Sequence, residues 1–307
     1  MNKFILHIVL SILNTFVAFN QINTEEILIK NDSIQLPGTL TFSAENQPLI
    51  IWVHGSGPID RNGNQPAQNV KANYIQQFRE AVNKEGIAFF SYDKRTANPK
   101  NSNFLKNTLV RDFALDAEEV VNHFKNDKRF SKIVLAGHSQ GSLTAMLASK
   151  NVDKYISIAG AGETIDKTIV KQISKNNPTL GEAAKKQFDT LKIKGKIETV
   201  NPFLISVFLK RNQPFLLSWM EINPITEIKK LEIPVLILNG DKDIQVKIED
   251  ANALKSAKPN ADFAIIKNMN HVLKTIEKEE DNLKSYFSPD FPISEELIKT
   301  VVSFVKK

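Results

Sequence analysis

The chain has 307 residues, 42% apolar and 24% charged, an ordinary globular composition with enough apolar material for one large core. It contains no cysteine, which excludes disulfides, thiolate metal sites and a cysteine nucleophile. The formal charge of +6 is spread along the chain rather than gathered into a basic recognition element, so no nucleic-acid partner is expected.

At the start, Asn2 and Lys3 precede an apolar run from Phe4 to Phe19 that is interrupted by His7, Ser11, Asn14 and Thr15. One positive charge, a short apolar segment and a small residue, Ala18, near its end read as a signal peptide over residues 1–20. The expected mature protein begins near Asn20 to Ile22 and is exported, either periplasmic or secreted. The run is too short and interrupted for a stable membrane span.

Glu26–Lys30 and Ile34–Phe42 predict a hairpin at the sheet edge, with Pro37 and Gly38 tolerated there as edge residues. Leu49–Val53 is apolar without alternation, the pattern of a central strand covered on both faces. It runs into His54-Gly55-Ser56-Gly57-Pro58, followed by Asp60, Arg61, Asn62 and Gly63. Backbone N–H groups of such a loop, at the carboxyl end of a central strand, suit a developing negative charge. Tyr74–Lys84 has helical spacing, and Ile87–Tyr92 predicts a strand ending in Asp93-Lys94-Arg95-Thr96. His54, Asp93 and Arg95 are candidates for bracing the loops. Ala97–Thr108 reads as a loop and Leu109–Lys125 as a long amphipathic helix.

The apolar run Lys132–Ala136 then leads to Gly137-His138-Ser139-Gln140-Gly141, with a helix-prone run from Ser142 to Ser149 behind it. Strand, G-x-S-x-G and helix form the pattern of a nucleophile elbow. The demand is narrow: Ser139 must occupy a strained turn, and the two glycines keep side chains out of the place where the backbone doubles back.

Lys154–Ala159 predicts a further strand. Between residues 163 and 231 the rhythm changes to helical stretches, Ile165–Lys175, Gly181–Ile193 and Pro202–Lys210, with many large apolar side chains among Phe203, Leu204, Phe208, Phe215, Leu216, Leu217, Trp219 and Met220. The expected arrangement is a core of residues 21–162 and 232–307 with a helical cap at 163–231 that walls the site and excludes water.

Ile233–Leu238 resumes the sheet and ends in Asn239-Gly240-Asp241-Lys242-Asp243, where either aspartate could orient a histidine. Ala251–Ala257 predicts a helix and Asp262–Ile266 a strand. Beyond it His271 supplies the general base that Ser139 needs, because a serine hydroxyl is a poor nucleophile until an imidazole takes its proton. Serine, aspartate, histidine is a known chain order for such triads. The remaining histidines, His7, His54, His123 and His138, are scattered without metal-ligand spacing, so neither a metal nor a cofactor is expected. Ser294–Val305 predicts a closing helix.

On these residues the chain resembles the α/β-hydrolase superfamily, and within it the bacterial serine esterases related to dienelactone hydrolase and the serine aminopeptidase-type hydrolases, which share the H-G-S-G-P-x-D-R and Y-D-K-R stretches. The resemblance implies an α/β fold with a mostly parallel central sheet and helices on both faces. It implies Ser139 as nucleophile, His271 as base and, through the spacing G-x-x-D from Gly240, Asp243 as acid with Asp241 as the alternate. It further implies an oxyanion hole made by the N–H groups of Gln140 and of Ser56, with Gly57 the alternate for the latter. The expected reaction is hydrolysis of a small-molecule carboxylic ester through an acyl-enzyme. A short-peptide substrate or a thioester on the same triad is the alternative, and Glu182, Glu198, Glu221 and Glu227 are the cap carboxylates available to hold a peptide amine. A non-catalytic binding protein is the remaining reading.

Overall fold

The computed structural model describes residues 21–307; the expected export segment at residues 1–20 lies outside the described residues. Eight strands form the main sheet: β1 (Asn23–Asn31), β2 (Ile34–Phe42), β3 (Gln47–Val53), β4 (Ala88–Tyr92), β5 (Phe130–His138), β6 (Lys154–Ile158), β7 (Val235–Gly240) and β8 (Asp262–Ile266). Their spatial order is β1-β2-β4-β3-β5-β6-β7-β8. The pairs β1–β2 and β2–β4 are antiparallel and all later pairs are parallel.

In chain order the helices are α1 (Tyr74–Lys84), α2 (Val110–Phe124), α3 (Gln140–Leu147), α4 (Ile165–Asn176), α5 (Pro178–Lys194) and α6 (Ile205–Phe208). They continue with α7 (Gln213–Met220), α8 (Pro224–Lys229), α9 (Ile248–Ala257), α10 (Asp281–Lys284) and α11 (Glu295–Lys306).

The two-residue period of a strand decides which helices each side chain meets. In β3, Leu49, Ile51 and Val53 join one apolar cluster with residues of α2, α3, α8 and α9. Ile50 and Trp52, pointing the other way, join a second cluster with α1 and α11. The sheet is thus covered on both faces, as a parallel sheet requires.

Two readings of the sheet are corrected. β2 is not an edge strand: β1 alone forms that edge, and β2 pairs on its other side with β4 from Gly38↔Tyr92 to Thr41↔Phe89. Pro37 is tolerated because it lies one residue before that first shared rung, while its carbonyl still accepts from Asp93 N–H at 2.8 Å. β5 also runs on past its apolar residues to His138, because backbone pairing with β3 and β6, down to Val53↔Gly137 and His138↔Ile158, needs no apolar side chain.

Residues 163–231 fold as helices with an apolar cluster of their own, in which Phe188, Leu204, Phe208, Leu216 and Met220 are buried together. Asn177 caps α5 by accepting from Leu180 N–H at 3.0 Å, and Pro178 follows it at the first turn, so α5 starts three residues before the expected Gly181. The expected helix Pro202–Lys210 is broken: Leu209 is extended, with ψ of 139°, and Gln213-Pro214 opens α7, a helix that its apolar run did not announce. Gln213 binds both the N–H and the carbonyl of Ile197, at 2.9 and 3.2 Å, satisfying backbone groups that the cluster would otherwise strand. α8 packs instead into the core through Ile228. Among the described residues no helix is long and apolar enough to cross a membrane.

Candidate active site

The loops at the carboxyl ends of β3, β5, β6 and β7 and after β8 meet around a cavity of about 390 Å³. Ser139 stands between β5 and α3 with φ of 55° and ψ of −120°, a backbone conformation that ordinary L residues avoid. The neighbours explain why it can form. A Cβ on Gly137 would collide with the Gly141 carbonyl, and one on Gly141 with the carbonyls of Val53 and His54. Both glycines are therefore dictated by backbone approaching backbone.

His271 lies in the loop after β8, buried, and its Nδ1–H donates to Asp243 Oδ2 at 2.7 Å. Asp243 is buried in the turn after β7, and its Oδ1 accepts the N–H groups of Gln245 and Val246 at 2.7 and 2.9 Å. Asp241, two residues earlier, is exposed. Of the two aspartates, the structure brings only Asp243 to the histidine. His138 Nε2–H donates to the backbone carbonyl of His271 at 2.8 Å, tying the elbow to the histidine loop. Burial lowers the His138 pKa to about 3, with the neighbouring His271 adding to the effect, so His138 is a neutral donor.

Ser139, Gln140, Ser56 and His271 all line the cavity. Gly57 does not; its φ of +95° belongs to the turn that carries the loop away. Asp60 shapes that loop by accepting the N–H groups of Asn62 and Asn64 at 2.9 and 2.8 Å. Asp93 braces it, holding Arg61 through the backbone N–H at 2.9 Å and the guanidinium at 3.0 Å. Arg95 turns away from the cavity and pairs with Asp116 of α2 at 2.6 Å, both side chains buried. His54 is buried beside Tyr92, with ring centroids 5.0 Å apart, and burial lowers its pKa to about 3. It does not line the cavity.

Several wall residues were not singled out by the sequence. Tyr74, Tyr286 and Phe287 join Trp219, and Ile165 and Ile169 of α4 add aliphatic surface. No lysine or arginine is among them. The large apolar residues of the insert divide between wall and packing, a division the sequence leaves open: Trp219 lines the cavity, while Leu204, Phe208, Leu216 and Met220 are spent on the helical cluster. None of Glu182, Glu198, Glu221 and Glu227 lines the cavity, whose one carboxylate among the described residues is Glu163, paired with Lys171 at 2.7 Å. No group of His, Cys, Asp and Glu among the described residues could hold a metal ion.

Sheet order, elbow and loop positions together define an α/β-hydrolase. Residues 34–257 match the BD-FAE family, and the chain belongs to it. It is 27% identical over 246 residues to the esterase EstD of Thermotoga maritima, covering 78% of this chain; the chain spans 58% of the length of that relative. Among solved structures, the esterase Pf2001 of Pyrococcus furiosus superposes with a TM-score of 0.61 at 17% identity, over 93% of this chain and 91% of that one. Est1E of Butyrivibrio proteoclasticus with ferulic acid bound gives a TM-score of 0.58 at 20% identity, over 92% and 100%.

Proposed function

We propose that the protein is a carboxylic ester hydrolase acting through Ser139, His271 and Asp243. The observation that carries the reading is the buried 2.7 Å bond between His271 Nδ1–H and Asp243, in a cavity that also exposes the strained Ser139. That bond fixes the imidazole tautomer, leaving Nε2 as the free base, and stabilises the imidazolium once it forms. Ser139 Oγ attacks the ester carbonyl carbon while His271 takes its proton, and the carbonyl electron pair moves onto oxygen. The N–H groups of Gln140 and Ser56 hold that oxyanion. The alcohol leaves with the proton from His271, and water hydrolyses the acyl-enzyme by the same steps. Membership of the BD-FAE family and the names of EstD, Pf2001 and Est1E support an ester as the bond cleaved.

The walls support uncharged acyl groups with apolar or aromatic bodies, received by Trp219, Tyr286 and Phe287. The only cavity carboxylate among the described residues is already paired, which favours esters over peptides that need an anchor for their amine. The test compares p-nitrophenyl acetate, butyrate, octanoate and an aromatic ester with aminoacyl p-nitroanilides, using Ser139→Ala as control. Ester turnover that disappears in the control is expected; anilide turnover exceeding ester turnover would replace the reading with a peptidase. Export rests on the composition of residues 2–19, and recovery of the full-length product, shortened near residue 20, from the periplasm or medium is its test.

A further inference from the structure

Lys94 carries a buried amine that the steps above do not use. It sits in the tetrad after β4, 5% exposed, with its ammonium 4.4 Å from the centroid of the Phe113 ring. Its Nζ donates to the carbonyl of Gly55 at 2.6 Å and to Oε1 of Gln140 at 2.7 Å. Both acceptors are neutral, and the nearby carboxylate of Asp116 is taken by Arg95. Burying a lysine amine without a carboxylate partner is costly, and what offsets the cost here is its two hydrogen bonds, to Gly55 and Gln140.

The two acceptors are informative. The Gly55 carbonyl and the Ser56 N–H belong to one planar peptide group and point in opposite directions. Holding and polarising the carbonyl therefore aims the Ser56 N–H the other way and makes it a stronger donor. Gln140 carries the second N–H at the first position of α3, and Lys94 holds its side chain. We propose that Lys94 is a positioning residue that clamps the two halves of the oxyanion hole, the glycine-rich loop and the elbow, in their working orientation. The Lys94 backbone adds a further tie, its N–H donating to the Ile59 carbonyl at 3.2 Å, in the same loop.

The proposal rests on the esterase reading and fails separately from it. Lys94→Met keeps the apolar stem of the side chain and removes the donor. It is expected to lower kcat by about 10²-fold, the scale of losing one oxyanion donor, with KM within about threefold of wild type. A trifluoromethyl ketone adds a readout that mere structural support would not move. Ser139 adds to its carbonyl, the proton passes to His271, and the resulting oxyanion occupies the hole. Its Ki should rise by about the same factor as kcat falls, while the Kd of a substrate ester, measured in the Ser139→Ala background, stays unchanged. Gln140→Leu leaves Lys94 on Gly55 and severs one arm; its Ki should rise about tenfold, and it carries the test if Lys94→Met does not fold. Unchanged Ki in the folded variants, or a rise matched by the ester Kd, overturns the clamp. A wild type without ester turnover, or turnover surviving Ser139→Ala, would instead overturn the esterase reading.

Discussion

The carboxyl edge of the sheet and the helical segment 163–231 border the same cavity but are held by different physics. At the sheet edge, position is set by backbone against backbone: Gly141 touches the strand end of β3, Asp243 is fixed by two N–H groups of its own turn, and Lys94 ties loop to elbow. The helical segment has a separate apolar cluster and offers the cavity a few side chains, chiefly Ile165, Ile169 and Trp219. Little room exists to alter the first without moving backbone against backbone, whereas the second can change its lining residues over an intact cluster. On the proposed reading this is a division of labour: the bond-breaking groups sit in loops at the edge of the sheet, and part of the selectivity sits on an insert that packs largely against itself.

Substitutions at the edge should therefore cost rate, and substitutions in the insert should change preference. Ser139→Ala is expected to lower kcat/KM for esters by at least about 10⁴-fold with an unchanged thermal midpoint, read in a p-nitrophenyl ester assay alongside melting. Asp243→Asn should follow at about 10⁴-fold, through loss of the correct imidazole tautomer, while Asp241→Asn stays within about twofold. Equal losses at the two aspartates would remove the distinction that burial draws between them.

Trp219→Ala samples the insert. It should leave kcat for acetate esters within about threefold but raise KM for aromatic acyl groups about tenfold, roughly the effect of one apolar contact surface lost. Parallel Michaelis curves on the two esters check it. A loss of kcat on every substrate would place Trp219 with the chemistry and break the comparison.

The last expectation concerns stability rather than rate and is electrostatic. Burial lowers the Lys94 pKa from 10.5 to about 7, so between those values the unfolded chain binds a proton that the folded chain does not. Unfolding free energy from this group then rises with pH through the window. Urea unfolding at several pH values between about 7 and 10 should show that rise in the wild type and a flatter profile in Lys94→Met.

Much of the edge was legible in the sequence because its signals are local. Gly137, Ser139 and Gly141 specify a turn within five residues, and an apolar strand before them places it. Asp243 and Asp241 share one turn, and only the fold shows which is buried. Lys94 stood unnoticed in a charged tetrad because its partners lie 39 and 46 residues away, beyond any local pattern. The helical character of the insert is legible in its sequence, but its breaks at Leu209 and Gln213 depend on which apolar side chains its own cluster absorbs, a three-dimensional outcome.

The most direct test of the account is to treat the protein with a fluorophosphonate ester and follow intact mass, peptide location and ester turnover together. One phosphonyl group per chain on the peptide containing Ser139, with turnover falling in proportion to labelling, is the result predicted. Turnover that persists with Ser139 fully labelled, or a label resting on another residue as activity disappears, would contradict it.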